Sequence, residues 1–132
     1  MKLKDFNEFE QLNEEVKLSK VVKKEEFEGY EILIGRNAEA NDILTTEIAD
    51  KEDIWLHASQ VPGSHVVIRY KDEGVPKEVV KRAAKLAAMN SKGKGKVKVI
   101  WTKAKYVTKD KSQKIGEVYV DYDKSHFINV YV

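Results

Sequence analysis

The 132-residue sequence contains no cysteine and only two prolines. The lack of cysteine excludes disulfide bonds, thiol nucleophiles and thiolate metal sites, and it is typical of a reducing cytoplasm. No apolar stretch approaches the roughly eighteen residues that a membrane helix requires, and the N-terminal segment MKLKDFNEFEQLNEE lacks the apolar run of a signal peptide. The sequence therefore predicts a soluble cytoplasmic protein, and its length suits one domain with one core.

The net charge of +2 conceals a strong asymmetry along the chain. Residues 77–114 carry 13 Lys/Arg against 2 Asp/Glu, whereas residues 1–76 carry 10 against 17. A local excess of positive charge on this scale is typical of contact with a polyanion. A solvated basic face would also fit the pattern, but it would cost stability through self-repulsion.

Hydrophobic periodicity predicts an α+β fold: a mainly antiparallel sheet of about five or six strands, two principal helices and a short N-terminal helix. Residues 4–16 form the short amphipathic helix, and a basic connector follows, so residues 1–24 are predicted to precede a domain of residues 25–132. The principal helices are AEANDILTTEIA, with Asn37 as its N-cap, and PKEVVKRAAKLAAMNS, with Pro76 in its first turn and Gly93 as its C-cap.

The stretch Ile54 to Arg69, IWLHASQVPGSHVVIR, concentrates rare side chains, since the chain has only three His and two Trp. Alternation predicts a hairpin turning at VPGS, with the glycine at positive φ. Leu56 and Val66 then point to one face, and the other face collects Trp55, His57, His65 and Arg69. These polar side chains either bind a ligand or satisfy backbone groups near the turn, with Trp55 in the core.

Two enzyme hypotheses arise from this hairpin. His57 and His65 could bind Zn²⁺ with Asp42 or Asp53, although no HxxxH or HExxH spacing is present. Ser64 and His65 are a poor nucleophile and base pair, because adjacent strand residues point to opposite faces. The hairpin therefore predicts no catalytic residue, no metal site and no cofactor.

Lysines follow the second principal helix and the loop after it. Lys77, Lys81 and Lys85 repeat every fourth residue, a like-charge spacing that destabilises a helix by roughly 0.2–0.5 kcal/mol per pair. The loop SKGKGKVKV lacks the GxxxxGK[ST] phosphate-loop pattern and leads into a strand. A flexible Gly-Lys loop beside a basic helix instead favours contact with backbone phosphates.

In order along the chain, GRNAEANDILT, DIWLHASQVPGSHVVIR, AAKLAAMNS and KVKV resemble the NFACT-R domain, the RNA-binding module of the NFACT proteins. The resemblance covers roughly residues 29–122. Full-length relatives act on obstructed large ribosomal subunits and promote template-independent tail addition with further domains that do not fit in 132 residues. The resemblance therefore implies the module alone, without tail-elongation activity.

The family pattern places its characteristic residues, residue by residue, on this sequence. They are Arg36, Asn37, Asn41, Asp42, Trp55, His57, Pro62, Gly63, Ser64, His65 and Arg69. One departure is YVTKDKSQKIGEV, which keeps lysines and Gly116 but lacks the prolines of the loop in relatives. With the basic residues of the helix and the loop added, the predicted RNA contacts are Arg36, Asn37, Asn41, Asp42, Trp55, His57, Ser64, His65, Arg69, Lys81, Arg82, Lys85, Lys92, Lys94 and Lys96.

The leading hypothesis is an RNA-binding module whose ligand is ribosomal or transfer RNA, with the large ribosomal subunit as a partner. DNA is a second candidate ligand, because phosphate contacts do not distinguish the two polymers. Two hypotheses of different classes stay open: a metal-dependent or His-based hydrolase, and a protein-interaction adaptor that uses the N-terminal helix. No membrane partner is expected.

Overall fold

A computed structural model of the protein describes residues 18–132. The predicted helix over residues 4–16 lies outside the described residues. Residues 18–21 are helical and lead directly into the first strand, β1 (Val22–Phe27). The sheet therefore starts inside the segment that was interpreted as a basic connector.

Six antiparallel strands form the central sheet, which confirms the predicted α+β class. After β1, its strands are β2 (Tyr30–Gly35), β3 (Ile54–Ala58), β4 (Val66–Ile68), β5 (Lys96–Lys103) and β8 (His126–Tyr131). Their order is β1-β2-β4-β3-β5-β8, so sequence neighbours β3 and β4 pair, as the hairpin prediction requires. A separate ribbon pairs β6 (Val107–Thr108) with β7 (Tyr119–Val120).

Helix α1 (Ala38–Ile43) begins as predicted, because the Asn37 side chain accepts a hydrogen bond from the Ala40 amide at 2.8 Å. It then widens into a π-helical turn, Leu44–Ile48, in which the Ala49 amide donates to the Leu44 carbonyl. Such turns insert one extra residue and change the direction in which side chains point. Here Leu44 and Thr45 are turned towards the sheet and buried.

Helix α2 (Lys77–Met89) differs from the prediction at both ends. Pro76 is the extended N-cap residue, one position before the first turn, and Asn90 is the C-cap. The Asn90 side-chain amide donates to the Leu86 carbonyl at 2.8 Å, so the helix end is satisfied without a glycine. The prediction of Gly93 as the C-cap was wrong.

The sheet is covered on both faces, and the hairpin positions divide between them as alternation predicts. Leu56 and Val66 belong to the core cluster under α2, which contributes Val79, Ala83 and Ala87 among others. Trp55 and Val67 belong to a second cluster on the opposite face, where Leu44 and parts of the β6–β7 ribbon pack.

Candidate nucleic-acid interface

A cleft of about 540 Å³ opens where the turn after β2, the connection between β3 and β4, and the loop after α2 meet. Positions that are up to 80 residues apart in the sequence line it. Six of the predicted RNA contacts are among them: Arg36, Asn37, Asn41, His57, Ser64 and Lys92. The structure thus brings together residues that the sequence shows only as separate motifs.

Backbone hydrogen bonds hold two of these loops together. The Lys92 amide donates to the Pro62 carbonyl at 2.9 Å, and the Ser64 amide donates to the Asn90 carbonyl at 2.9 Å. Gly63 and Ser91 form the antiparallel bridge between these two bonds. The β3–β4 connection and the loop after α2 therefore act as one wall of the cleft.

Gly63 is required for close approach between loops, and its φ is not positive. A Cβ atom at Gly63 would lie 2.6 Å from the Cβ of Ser91 and 2.9 Å from its Cα. The positive φ of this connection, 62°, belongs to Gln60. The predicted location of the turn is close to the observed one, but the predicted reason for its glycine was wrong.

The most enclosed predicted contacts are Trp55 and His65, which are each 1% exposed. The Trp55 indole nitrogen lies 3.1 Å from the Thr45 hydroxyl oxygen, which in turn lies 2.7 Å from His65 Nδ1. Because an indole nitrogen can only donate, the hydroxyl accepts from Trp55 and is free to donate to Nδ1. These two hydrogen bonds join the π-helical turn to β3 and to the residue that precedes β4, and both rings stay inside the fold.

The neutral form of His65 is strongly favoured at this site. Burial, with a smaller contribution from neighbouring His57, lowers the pKa of His65 from 6.5 to about 3. Asn41 is also buried, and its side chain binds the His65 amide at 2.9 Å and the Gly63 carbonyl at 3.2 Å. Asn41 and His65 therefore hold the cleft wall in place.

His57 is half-buried at the cleft, and its ring lies 5.2 Å from that of His65 and 5.9 Å from that of Trp55. Burial lowers the pKa of His57 below its ordinary value. A neutral imidazole offers one donor and one acceptor at pH 7. His57 can therefore recognise hydroxyl or base groups, whereas it adds no positive charge.

Two of the arginines that were predicted to contact RNA form ion pairs with carboxylates instead. Arg69 lies 3.1 Å from Asp53, which is buried, and 3.3 Å from Asp50. Arg82 forms a two-pronged bond to Glu25, with both distances at 2.7 Å. Each guanidinium is partly exposed, but its charge is largely neutralised because it is paired with a carboxylate of opposite sign.

Further predicted contacts are partly engaged as well. Asp42 lies 3.3 Å from Lys109 and is half-buried. The Lys85 ammonium donates to the Tyr131 carbonyl. Lys81 is exposed on α2. Exposed Arg36 donates through Nε to the Ser19 carbonyl at 3.0 Å, which leaves its charge without a carboxylate partner among residues 18–132.

The Gly-Lys loop and the start of β5 carry three lysines whose charge is not neutralised by a carboxylate among the described residues. Lys92, Lys94 and Lys96 are exposed and form no ion pair with any other described residue. Further along the segment, Lys103 and Lys105 both bind Glu52, at 2.8 and 3.0 Å, and lower its pKa. We refer to Lys92 and Lys94, together with Lys96 at the start of β5, as the lysine loop.

The arrangement does not favour the metal hypothesis. Among residues 18–132, no three His, Asp or Glu side chains lie where they could bind one metal ion.

No helix in that range is long and apolar enough to cross a membrane.

Sequence reasoning missed part of the cleft lining. The additional residues are Ala38, Asn90, Ser91 and Ile115, together with Gly116, which had been noted only as a retained loop glycine. Gly116 approaches α1 closely, since a Cβ there would lie 3.2 Å from that of Ala38, and its φ is +82°. Ala38, Asn90 and Ser91 lie in the family segments GRNAEANDILT and AAKLAAMNS, but their residue types are common in any loop or helix end and did not mark them as contacts. No signal pointed to Ile115.

Comparison with known proteins yields one family and several relatives. Residues 20–121 match the family described as NFACT protein RNA binding domain. The chain is 41% identical over 104 residues to the Rqc2 homolog RqcH of Bacillus subtilis, which covers 77% of this chain and 18% of that protein. It is 27% identical over 85 residues to the archaeal Rqc2 homolog aRqcH of Methanocaldococcus jannaschii, covering 61% of this chain and 13% of that one.

A solved structure has the same fold. It is the C-terminal part of the fibronectin/fibrinogen-binding protein from Streptococcus suis, with a TM-score of 0.73 and 34% identity. The similarity covers 83% of this chain and 44% of that one. The chain thus spans less than a fifth of the length of the curated relatives named above. With the family match extending over most of its length, this chain belongs to the NFACT protein RNA binding domain family.

Proposed function

We propose that this protein binds ribosomal or transfer RNA through the cleft and the adjoining lysine loop. The observation that carries the proposal is the convergence of six separately predicted residues on one cleft, among them Lys92, which forms no ion pair with any described residue. The family description as an RNA-binding domain supports the same ligand class. The cytoplasmic location predicted from the sequence is part of this proposal.

In this proposal the phosphate backbone is recognised by side chains whose charge is not already neutralised. Arg36 and Lys92 reach the cleft from two different loops, and Lys94 and Lys96 continue the positive surface. Phosphate contacts of this kind position an RNA without reading its sequence. Selectivity then comes from neutral groups in the cleft, namely His57 and Ser64, which can hydrogen-bond to base edges or 2′-hydroxyls.

The buried residues of the family pattern serve this surface indirectly. Asn41, Trp55 and His65 fix the π-helical turn and the cleft wall, and Arg69 anchors the loop before β3 through Asp53. Replacing them would lower the stability of the domain as well as its affinity for RNA. Lys81 remains a candidate for a peripheral phosphate contact, since it is exposed on α2.

The relatives named as Rqc2 homologs suggest where such binding is used. We infer a role in ribosome quality control, with RNA of the large ribosomal subunit or its bound tRNA as the ligand. Tail elongation is not included, because this chain aligns with only 18% of the Bacillus subtilis relative.

The test is the salt dependence of RNA binding by two triple variants with the same change in charge. Lys92, Lys94 and Lys96 are replaced together by Gln in the first variant. Exposed lysines on other elements, Lys23, Lys51 and Lys124, are replaced by Gln in the second. Fluorescence anisotropy with labelled tRNA gives the slope of log affinity against log salt concentration, which counts displaced counterions.

The loop variant should flatten the slope by about 2–3, because each lost phosphate contact removes roughly 0.7–0.9. The control variant should change it by less than about 1. Equal flattening in both variants would place binding in the general charge of the protein and would refute the proposed site. A matched DNA duplex and ribosomal subunits in the same assay test the choice of ligand.

A further inference from the structure

Strand β8 carries large aromatic side chains on its solvent side, although it is an edge strand of the sheet. Phe127 is 47% exposed and Tyr131 is 65% exposed, while Ile128 and Val130 pack against the core on the other side. Edge strands commonly place charged residues at such outward positions, and clustered apolar groups at a surface mark binding sites. These aromatic residues therefore need an explanation outside the core.

Lysines of the neighbouring strand are interleaved with these rings. In the β5–β8 pairing, Lys96 is opposite Tyr131 and Lys98 is opposite Asn129. The Lys98 ammonium lies 5.3 Å from the centre of the Phe127 ring. We call these residues the aromatic face, and none of them is acidic: Lys96, Lys98, Phe127, Asn129 and Tyr131.

The aromatic face is continuous with the lysine loop. Gly95 and Val132 exchange two backbone hydrogen bonds, at 2.9 and 3.1 Å, so the β5–β8 ladder extends to the end of the loop. At its other end, Lys98 and Phe127 line a shallow pocket of about 300 Å³ with Tyr122, which is 67% exposed.

We propose that the aromatic face binds a single-stranded segment of RNA, with bases stacked on Phe127 and Tyr131 and phosphates at Lys96 and Lys98. Rings on a positively charged surface are the combination that binds unpaired strands, because every base has a π face and every linkage a negative charge. The two rings are four residues apart on one strand, about 13 Å, which spans more than one nucleotide.

This inference rests on the proposed function; it shares Lys96 with the lysine loop and otherwise uses different residues. The family match ends at residue 121, so the rings of β8 lie outside it. It also adds a ligand class, since the cleft and lysine loop alone would bind paired and unpaired RNA through phosphates.

The experiment compares binding of a labelled ten-nucleotide single-stranded RNA and a ten-base-pair RNA duplex at one salt concentration. Phe127→Thr and Tyr131→Thr remove the rings and retain strand propensity. Tyr70→Thr is the matched control, because Tyr70 is an exposed aromatic residue (44%) that lies just beyond β4. Tyr131→Phe keeps the ring and should keep binding, which separates stacking from loss of fold.

We expect each ring removal to weaken single-strand binding at least about fivefold and duplex binding less than about twofold. Equal losses on both RNAs, or none, would overturn this inference. A wild-type dimer that dissociates on Tyr131→Thr, measured by sedimentation velocity, would assign the face to a second copy of the chain and would also overturn it. If the wild-type protein binds neither of these RNAs nor the labelled tRNA of the first assay, the proposed function fails too, whereas duplex or tRNA binding that depends on the lysine loop would leave that function intact.

Discussion

Lowering the pH from 7 to 5 should lower the free energy of unfolding by about 2 kcal/mol through His65 alone. The ring is 1% exposed, and burial lowers its pKa to about 3, whereas an unfolded His has a pKa of about 6.5. As the pH falls through 6.5, the unfolded chain binds a proton that the folded chain does not bind until about pH 3. The unfolded state is therefore favoured increasingly between these values.

The size of the effect follows from the two pKa values. Between pH 7 and pH 5, protonation of His65 in the unfolded chain acts over the equivalent of about 1.4 pH units. Each pH unit lowers the free energy of the unfolded state by about 1.36 kcal/mol, which gives a total of about 2 kcal/mol. His57 contributes in the same direction, since burial lowers its pKa as well. The window ends at pH 5 because carboxylates protonate below it, including Glu25, whose pKa is lowered by its bond to Arg82.

Urea denaturation followed by Trp fluorescence at pH 5, 6 and 7 and constant ionic strength measures this loss. His65→Gln removes the titrating ring, so this variant should show little of the wild-type loss between pH 7 and pH 5. A wild-type loss below about 0.5 kcal/mol would refute the reasoning. So would a His65 imidazole resonance that titrates near pH 6 in the folded protein.

Two further substitutions test the packing of the cleft wall. Gly63→Ala should lower the free energy of unfolding by about 1–3 kcal/mol, because the added Cβ atom would collide with Ser91. An unchanged urea midpoint would show that the loops can separate at little cost. Thr45→Val should lower the free energy of unfolding by about 1–3 kcal/mol, because two buried ring nitrogens lose their shared partner. Thr46→Val, at an exposed hydroxyl, is the control and should have a smaller effect. Equal effects would contradict the buried chain of hydrogen bonds.

Local sequence rules predicted the parts of the fold that depend on neighbours in the chain. Alternation assigned Leu56 and Val66 to the face under α2 and Trp55 to the other face, because side-chain direction in a strand depends only on position. The N-cap at Asn37 was predicted for the same reason, since its bond reaches only three residues ahead.

Contacts between distant segments could not be predicted. Arg82 of α2 was assigned to RNA, yet its partner Glu25 lies 57 residues away on β1, and sequence spacing gives no sign of the pairing. The burial of His65 depends on the π-helical turn that covers it, and no composition rule predicts that turn. The sequence thus indicated several residue types of the cleft, but the packing decided which side chains face the ligand.

The short ladder that joins Pro62–Ser64 to Asn90–Lys92 has a thermodynamic consequence for recognition. Two loops that would otherwise sample many shapes are fixed before any ligand arrives, so the ordering entropy is lost during folding and not during association. Amide hydrogens of Ser64 and Lys92 should accordingly exchange slowly with solvent for residues in loops. A preorganised wall of this kind favours a tight complex with little change of shape, and affinity should differ among RNAs mainly in dissociation rate.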